Sequence, residues 1–304
     1  MWQPKDAHKR FDRARSAGAA HSQCFIRESI PTPLEVHPPK ARSIFWLFYA
    51  VVAVIAALAA NAQASDPAPR YDHIVVVVME NHSFDKIFSA DKAPYLRSLA
   101  KKGAVFTRSY GVAHPSQPNY FALFSGSTHG VKDDNSHNLN KPNLASAMAG
   151  AGKRFVGYVE AGSPRKHNPW ESFASAKGVE KPLNAFPSNF GSLPAVGFVI
   201  PNLLNDMHDG TIGQADMWLQ KHLGNYASWA TENNSLLIVT FDEDDYHAGN
   251  RIFTLLYGAR IKPGQYATKI NHYGVLRTIE DIEGIDPIGA SAHVNSITGI
   301  WQGP

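Results

Sequence analysis

The 304-residue chain holds 29 basic and 26 acidic side chains, but the excess is local: residues 1–64 carry eight Lys or Arg against four Asp or Glu, leaving 21 against 22 beyond them. A body of net charge about −1 gives no electrostatic ground for a nucleic-acid partner. Cys24, the single cysteine, lies in the same N-terminal part, which excludes thiol chemistry and a disulfide framework from residues 65–304, a length able to bury a core without either.

The first element in chain order is a leader. Residues 1–43 form a basic, irregular extension, expected to stay outside the fold. Residues 44–60 are apolar without one charge, follow Lys40 and Arg42, and precede Ala62-Gln63-Ala64. That is the three-part pattern of a secretory signal and predicts cleavage after Ala64, with export to the periplasm or beyond. About 17 apolar residues reach only the short edge of what spans a ~30 Å hydrocarbon core, so anchoring by residues 44–60 is the alternative. Residues 65–304 are expected to form a single catalytic domain.

Residues 73–79 (HIVVVVM) do not alternate polar with apolar, which suits a strand buried on both faces. Similar runs recur at 104–107, 155–159, 196–200, 236–241 and 253–257, and helical spacing appears at 93–101, 118–124, 213–231 and 273–283. Strands alternating with helices predict an α/β fold with a mainly parallel central sheet and helices on both faces. Residues 132–143 and 163–193 are rich in Asn, Ser, Pro and Lys without a period, and read as loops at one edge of the sheet.

Polar residues collect where three of these strands end. Glu80-Asn81 follows the first, Asn205-Asp206-Met207-His208 lies beyond the 196–200 run, and Asp242-Glu243 follows 236–241. Ligands of open α/β sheets bind beyond the carboxyl ends of strands, and converging carboxylate and amide oxygens suit a hard divalent cation. Taken singly, Glu80-Asn81 reads as a helix cap and Asp242-Glu243 as a solvated turn. Asp242 abuts a buried strand, however, where an unpaired carboxylate would be costly.

Between these strands lies His114-Pro115-Ser116-Gln117-Pro118-Asn119-Tyr120. With Pro118 as the first helical residue, Ser116 stands just ahead of a helix N-terminus, where a serine is usually a cap and where N–H groups also favour a phosphate. A metal held by Glu80 and Asp242 would activate its hydroxyl, and Asn119 would donate to a phosphoryl oxygen. Of fourteen histidines, His208 and His272 stand out as acids or phosphate clamps, with a capping or structural role as the alternative.

With these motifs in order along residues 71–284, the chain resembles the acid phosphatase and phospholipase C group of phosphoesterases within the alkaline phosphatase superfamily. The resemblance implies a three-layer α/β/α fold and a serine nucleophile at Ser116. It implies metal ligands at Glu80, Asn81, Asp242 and Glu243, and phosphate contacts from Asn119, His208 and His272. One divalent cation is preferred, with Mg or Ca suited to the oxygen set. Likeness to the group's secreted bacterial acid phosphatases implies a phosphate monoester as substrate, including a phosphoinositide at a membrane surface, and no obligate protein partner. A phospholipase C-like phosphodiesterase is one alternative, and an inactive exported binding module another.

Overall fold

The computed structural model describes residues 68–303, which belong to one unit; the expected extension 1–43 and the expected signal or anchor 44–64 lie outside them. The valine run becomes β1 (His73–Met79), buried from its second residue onward, so neither of its faces meets water. Its side chains divide cleanly. Ile74, Val76 and Val78 enter a core on one side of the sheet, and Val75, Val77 and Met79 enter another on the opposite side. Period-two side chains in a strand covered on both faces have to split this way.

Eight further strands build the sheet: β2 (Ala104–Tyr110), β3 (Phe155–Val159), β4 (Glu180–Pro182), β5 (Val196–Ile200), β6 (Ser235–Phe241), β7 (Arg251–Gly258), β8 (Gly264–Tyr266) and β9 (Ile270–Asn271). Their order is β4-β3-β5-β1-β6-β7-β2-β8, with β9 also on β2. Pairing is parallel except at β7, which runs antiparallel to both β6 and β2. The reversal has a simple cause. Residues 242–250 join β6 to β7 as a loop without a helix, and a direct return can only make an antiparallel pair.

Helices α1 (Phe84–Phe88), α2 (Pro94–Ala100) and α5 (Ile212–Ala230) cover one face through residues such as Phe84, Leu96, Leu223 and Tyr226. Helices α3 (Ser116–Ser125), α4 (Leu144–Gly150) and α6 (His272–Glu283) cover the other through Phe121, Met148, Val275 and Ile279. The three-layer α/β/α expectation therefore holds.

Two helices, α1 and α4, lie outside the helical spacings read from the sequence. The α4 start is nevertheless encoded by Asn143, whose side chain accepts from Ser146 N while the Ser146 hydroxyl bonds back. The 163–193 segment is not plain loop. It folds into short 3₁₀ turns and the edge strand β4, and its turn at Arg165–His167 packs on α3. Among the described residues no helix is long and apolar enough to cross a membrane.

Candidate active site

Parallel pairing brings the site together. Met79 of β1 lies opposite Phe241 of β6, so the next residues, Glu80 and Asp242, leave the sheet side by side. Asp242 N donates to Met79 O at 2.9 Å, and Glu80 N donates to Asp206 O at 2.8 Å, drawing in the segment beyond β5. Asn81 takes a left-handed backbone (φ 53°), a conformation Asn tolerates better than most residues, and its N–H donates to Asp242 Oδ1 at 3.1 Å.

Helix α3 points its first residue at this junction. Ser116 is buried, and its hydroxyl lies 3.1 Å from Glu80 Oε2 and 3.3 Å from Glu243 Oε1. The helix starts earlier than its prolines suggest. Pro115 is the cap, Ser116 the first helical residue and Pro118 the third, which is tolerated because first-turn N–H groups have no intrahelical partner. The N-terminus is also less open to an anion than expected. Gln117 N already donates to Asp134 Oδ1 at 3.0 Å, and Pro118 has no N–H to offer.

Asn119 sits differently from the expectation that it donates to phosphate. Its amide hydrogens go to Ala113 O (2.9 Å) and Pro115 O (3.2 Å), while Oδ1 accepts from Val112 N and Ala113 N. It is buried, and it holds the loop that delivers Ser116. His272 also differs from a phosphate clamp. Its Nε2 meets Asp242 O at 2.6 Å and must donate there, and burial lowers its pKa to about 4. The remaining ring atom, Nδ1, is then a buried acceptor without a partner, which faces a cation better than a phosphate oxygen. His208 lies at the rim, half-buried, with Nδ1 2.6 Å from Asp209 Oδ1 and its ring 6.0 Å from that of His167.

His167 is the residue that sequence reasoning missed. It is fully buried from within the aperiodic 163–193 segment, stacks on Tyr120 at 5.0 Å, and places Nε2 3.2 Å from Glu80 Oε1 and Nδ1 3.5 Å from Asp206 Oδ2. Neither contact is aligned as a hydrogen bond, so both ring nitrogens remain unpaired. Glu80, His167 and Asp206 each offer a ligand atom within 4.8 Å of the others, a buried set compatible with a metal ion. Tyr120 donates its hydroxyl to Glu80 Oε1, and His114 lies 2.6 Å from Glu243 Oε2. No local signal marks His167, because a lone histidine among Lys, Asn and Pro has no period or spacing to betray it.

Comparison with known proteins is decisive at this point. The Phosphoesterase family model matches residues 86–286, which hold Ser116, His167, Asp206, Asp242 and His272. The chain belongs to the phosphoesterase family. This phosphoesterase is 42% identical to the phosphatidylinositol-3-phosphatase of Mycobacterium tuberculosis, over 83% of its own length and 94% of the relative's. It is 28% identical to the phosphate-repressible acid phosphatase of Penicillium chrysogenum, over 86% and 68%. Both relatives are phosphatases, and the reading of the chain as a phosphoric monoester hydrolase stands with them.

Solved structures similar to the phosphoesterase share its fold at low identity. An alkaline phosphatase superfamily protein from Vibrio parahaemolyticus superposes with a TM-score of 0.55 at 13% identity, covering 77% of this chain and 73% of that one. The lipoteichoic acid synthase LtaP from Listeria monocytogenes gives 0.54 at 12%, covering 74% and 75%.

The phosphoesterase's site has more negative charge than its own cations balance. Burial, then the Asp242 and Asp206 carboxylates, push Glu80 well above the usual carboxylate range, and burial followed by Glu243 does the same to Asp242. Burial lifts Glu243 to about 8 and Asp206 to about 7. His167 does not compensate, since burial, Lys166 and His208 keep it neutral. Lys166, 3.0 Å from Asp134 and held above its ordinary value by it despite burial, is a cation that opposes the rise at Glu80, Asp206 and Glu243. Asn81 Oδ1 and Asp242 Oδ2 are meanwhile buried without a partner. Orphaned oxygens among under-neutralised carboxylates are compatible with a metal ion, and the residues whose ligand atoms approach one another closely enough to hold it are Glu80, His167 and Asp206.

Proposed function

We propose that this phosphoesterase is an exported phosphomonoesterase of acid phosphatase type that carries its phosphoryl group on Ser116. The observation supporting it most directly is the Ser116 hydroxyl between Glu80 and Glu243 at the head of α3. The Ser116 proton passes to a carboxylate it already bonds, an Oγ–P bond forms, and the ester P–O bond breaks as the alcohol leaves. His208, oriented by Asp209, supplies the alcohol's proton. Water then attacks phosphorus, the Oγ–P bond breaks, and inorganic phosphate departs. A divalent ion bound at Glu80, Asn81, Asp242 and Glu243, Mg or Ca by donor type, would supply charge neutralisation at the serine and phosphoryl oxygens.

The name of the mycobacterial relative supports phosphatidylinositol 3-phosphate as a substrate. Hydrolysis of p-nitrophenyl phosphate and bis-p-nitrophenyl phosphate tests the class, with the monoester expected to turn over faster. Ser116→Ala is expected to lower kcat by at least about 10³-fold, and acid quenching should trap phosphate on Ser116 of the wild type. Full activity in Ser116→Ala, or faster diester hydrolysis, would sink the reading.

A further inference from the structure

Tyr246 is a large aromatic side chain left 63% exposed, on a backbone with φ of 66°. A bulky residue in the left-handed region needs its surroundings to hold it there. Asp244 does so. Its fully buried carboxylate accepts from Tyr246 N at 2.8 Å, Ala248 N at 2.7 Å and Asn250 N at 2.9 Å, which locks the turn from β6 to β7.

The locked turn lays the Tyr246 ring on His114, with centroids 4.0 Å apart and planes 23° from parallel. His114 in turn meets Glu243 Oε2 at 2.6 Å, and the other Glu243 oxygen accepts from Ser116. Two intervening side chains therefore fix the ring relative to the nucleophile. Near the nucleophile's helix Asp134 accepts from Gln117 N at 3.0 Å and pairs with Lys166 at 3.0 Å. Burial first, then the Glu243, Asp134 and Asp242 carboxylates, raise the Tyr246 hydroxyl above its ordinary value. His114 covers one face of the ring, and the side chain is otherwise exposed.

We propose that Tyr246 is the platform for the leaving group, stacking its open face against the flat face of a ring-bearing alcohol, aryl or cyclitol, while the phosphate enters toward Ser116. The inference rests on the phosphomonoesterase reading and names the substrate class within it. Phosphoryl transfer itself asks for charge and hydrogen bonds, which the ring face does not provide. A ring held in one position offers contact area at little cost in ordering.

The test compares kcat and KM of the purified wild type, Tyr246→Ala, Tyr246→Phe and Tyr246→Gly on p-nitrophenyl phosphate, inositol 1-phosphate and the ringless ethyl phosphate. Losing the ring is expected to raise KM for the two ring esters about 3- to 10-fold, the scale of one aromatic contact, with ethyl phosphate nearly unchanged. Tyr246→Phe should behave as wild type. Tyr246→Gly, unstrained at this φ, should match Tyr246→Ala, which separates the ring from the backbone. An equal loss on all three esters, or no change on any, overturns the platform while leaving the phosphatase reading intact. A wild type inactive on every monoester overturns both.

Discussion

The N–H of Asn81 donates to Oδ1 of Asp242 across 3.1 Å, tying the carboxyl end of β1 to that of β6. Asp242 Oδ2 and the Asn81 side-chain oxygen are both left buried and without a partner.

Removing metal should therefore cost activity and stability together, and Asp242→Asn should separate the two. Without metal, the variant relieves repulsion among Glu80, Asp242 and Glu243 and is expected to melt above the metal-free wild type. Its activity should fall at least about 100-fold, because the proposed metal site loses a ligand. Melting curves with chelator, Mg or Ca check this, and a metal-dependent Tm rise undiminished in Asp242→Asn would contradict it. Elemental analysis of the wild type should give a stoichiometry near one.

Asn119→Ala should act on folding more than on phosphate affinity. The change leaves the N–H groups of Val112 and Ala113 without their acceptor in a buried loop, while Ala113 O keeps Asn250, a loss of about 2–4 kcal/mol by the usual cost of such groups. The urea midpoint should drop, while inhibition by inorganic phosphate stays within a few-fold. A wild-type midpoint with weakened phosphate binding would restore the donor role read from the sequence.

Stability should decline as pH rises from about 4.5 to 7 on account of Glu280, away from the catalytic cluster. Burial raises its pKa to about 7, and its oxygens accept from Ile288 N at 2.9 Å and the Ser291 hydroxyl at 2.6 Å. A carboxyl with a raised folded pKa binds its proton more tightly when folded, so its stabilisation is complete below the unfolded value and is lost as pH climbs through the folded one. Glu280→Gln should flatten this part of the Tm-against-pH curve, with an effect on the order of 1 kcal/mol per pKa unit. An unchanged slope would remove Glu280 as its source.

The exported form should begin at Ser65. Intact-mass measurement of protein recovered from outside the cytoplasm checks the cleavage, and a membrane-bound product retaining residues 44–60 would favour the anchor.

Six inner strands were legible because a strand buried on both faces needs an unbroken apolar run, which residues 73–79 and their counterparts supply. Once strand ends were placed, Glu80, Asn81, Asp242 and Glu243 followed, since chain position and sheet topology together dictate where they emerge. The reversal of β7 was not legible, because hydrophobicity records burial and not strand direction.

Sequence by itself determined the two-faced sheet, the rim of carboxylates and the candidate nucleophile, because these depend on local pattern and on strand order. Only the tertiary structure decided what each polar atom touches. It turned Asn119 inward to the backbone, gave the α3 N-terminus to Asp134, and brought His167 against Glu80 and Asp206. The reason is physical: these contacts join loops far apart in the chain, held by burial and hydrogen-bond geometry, and no residue spacing encodes either.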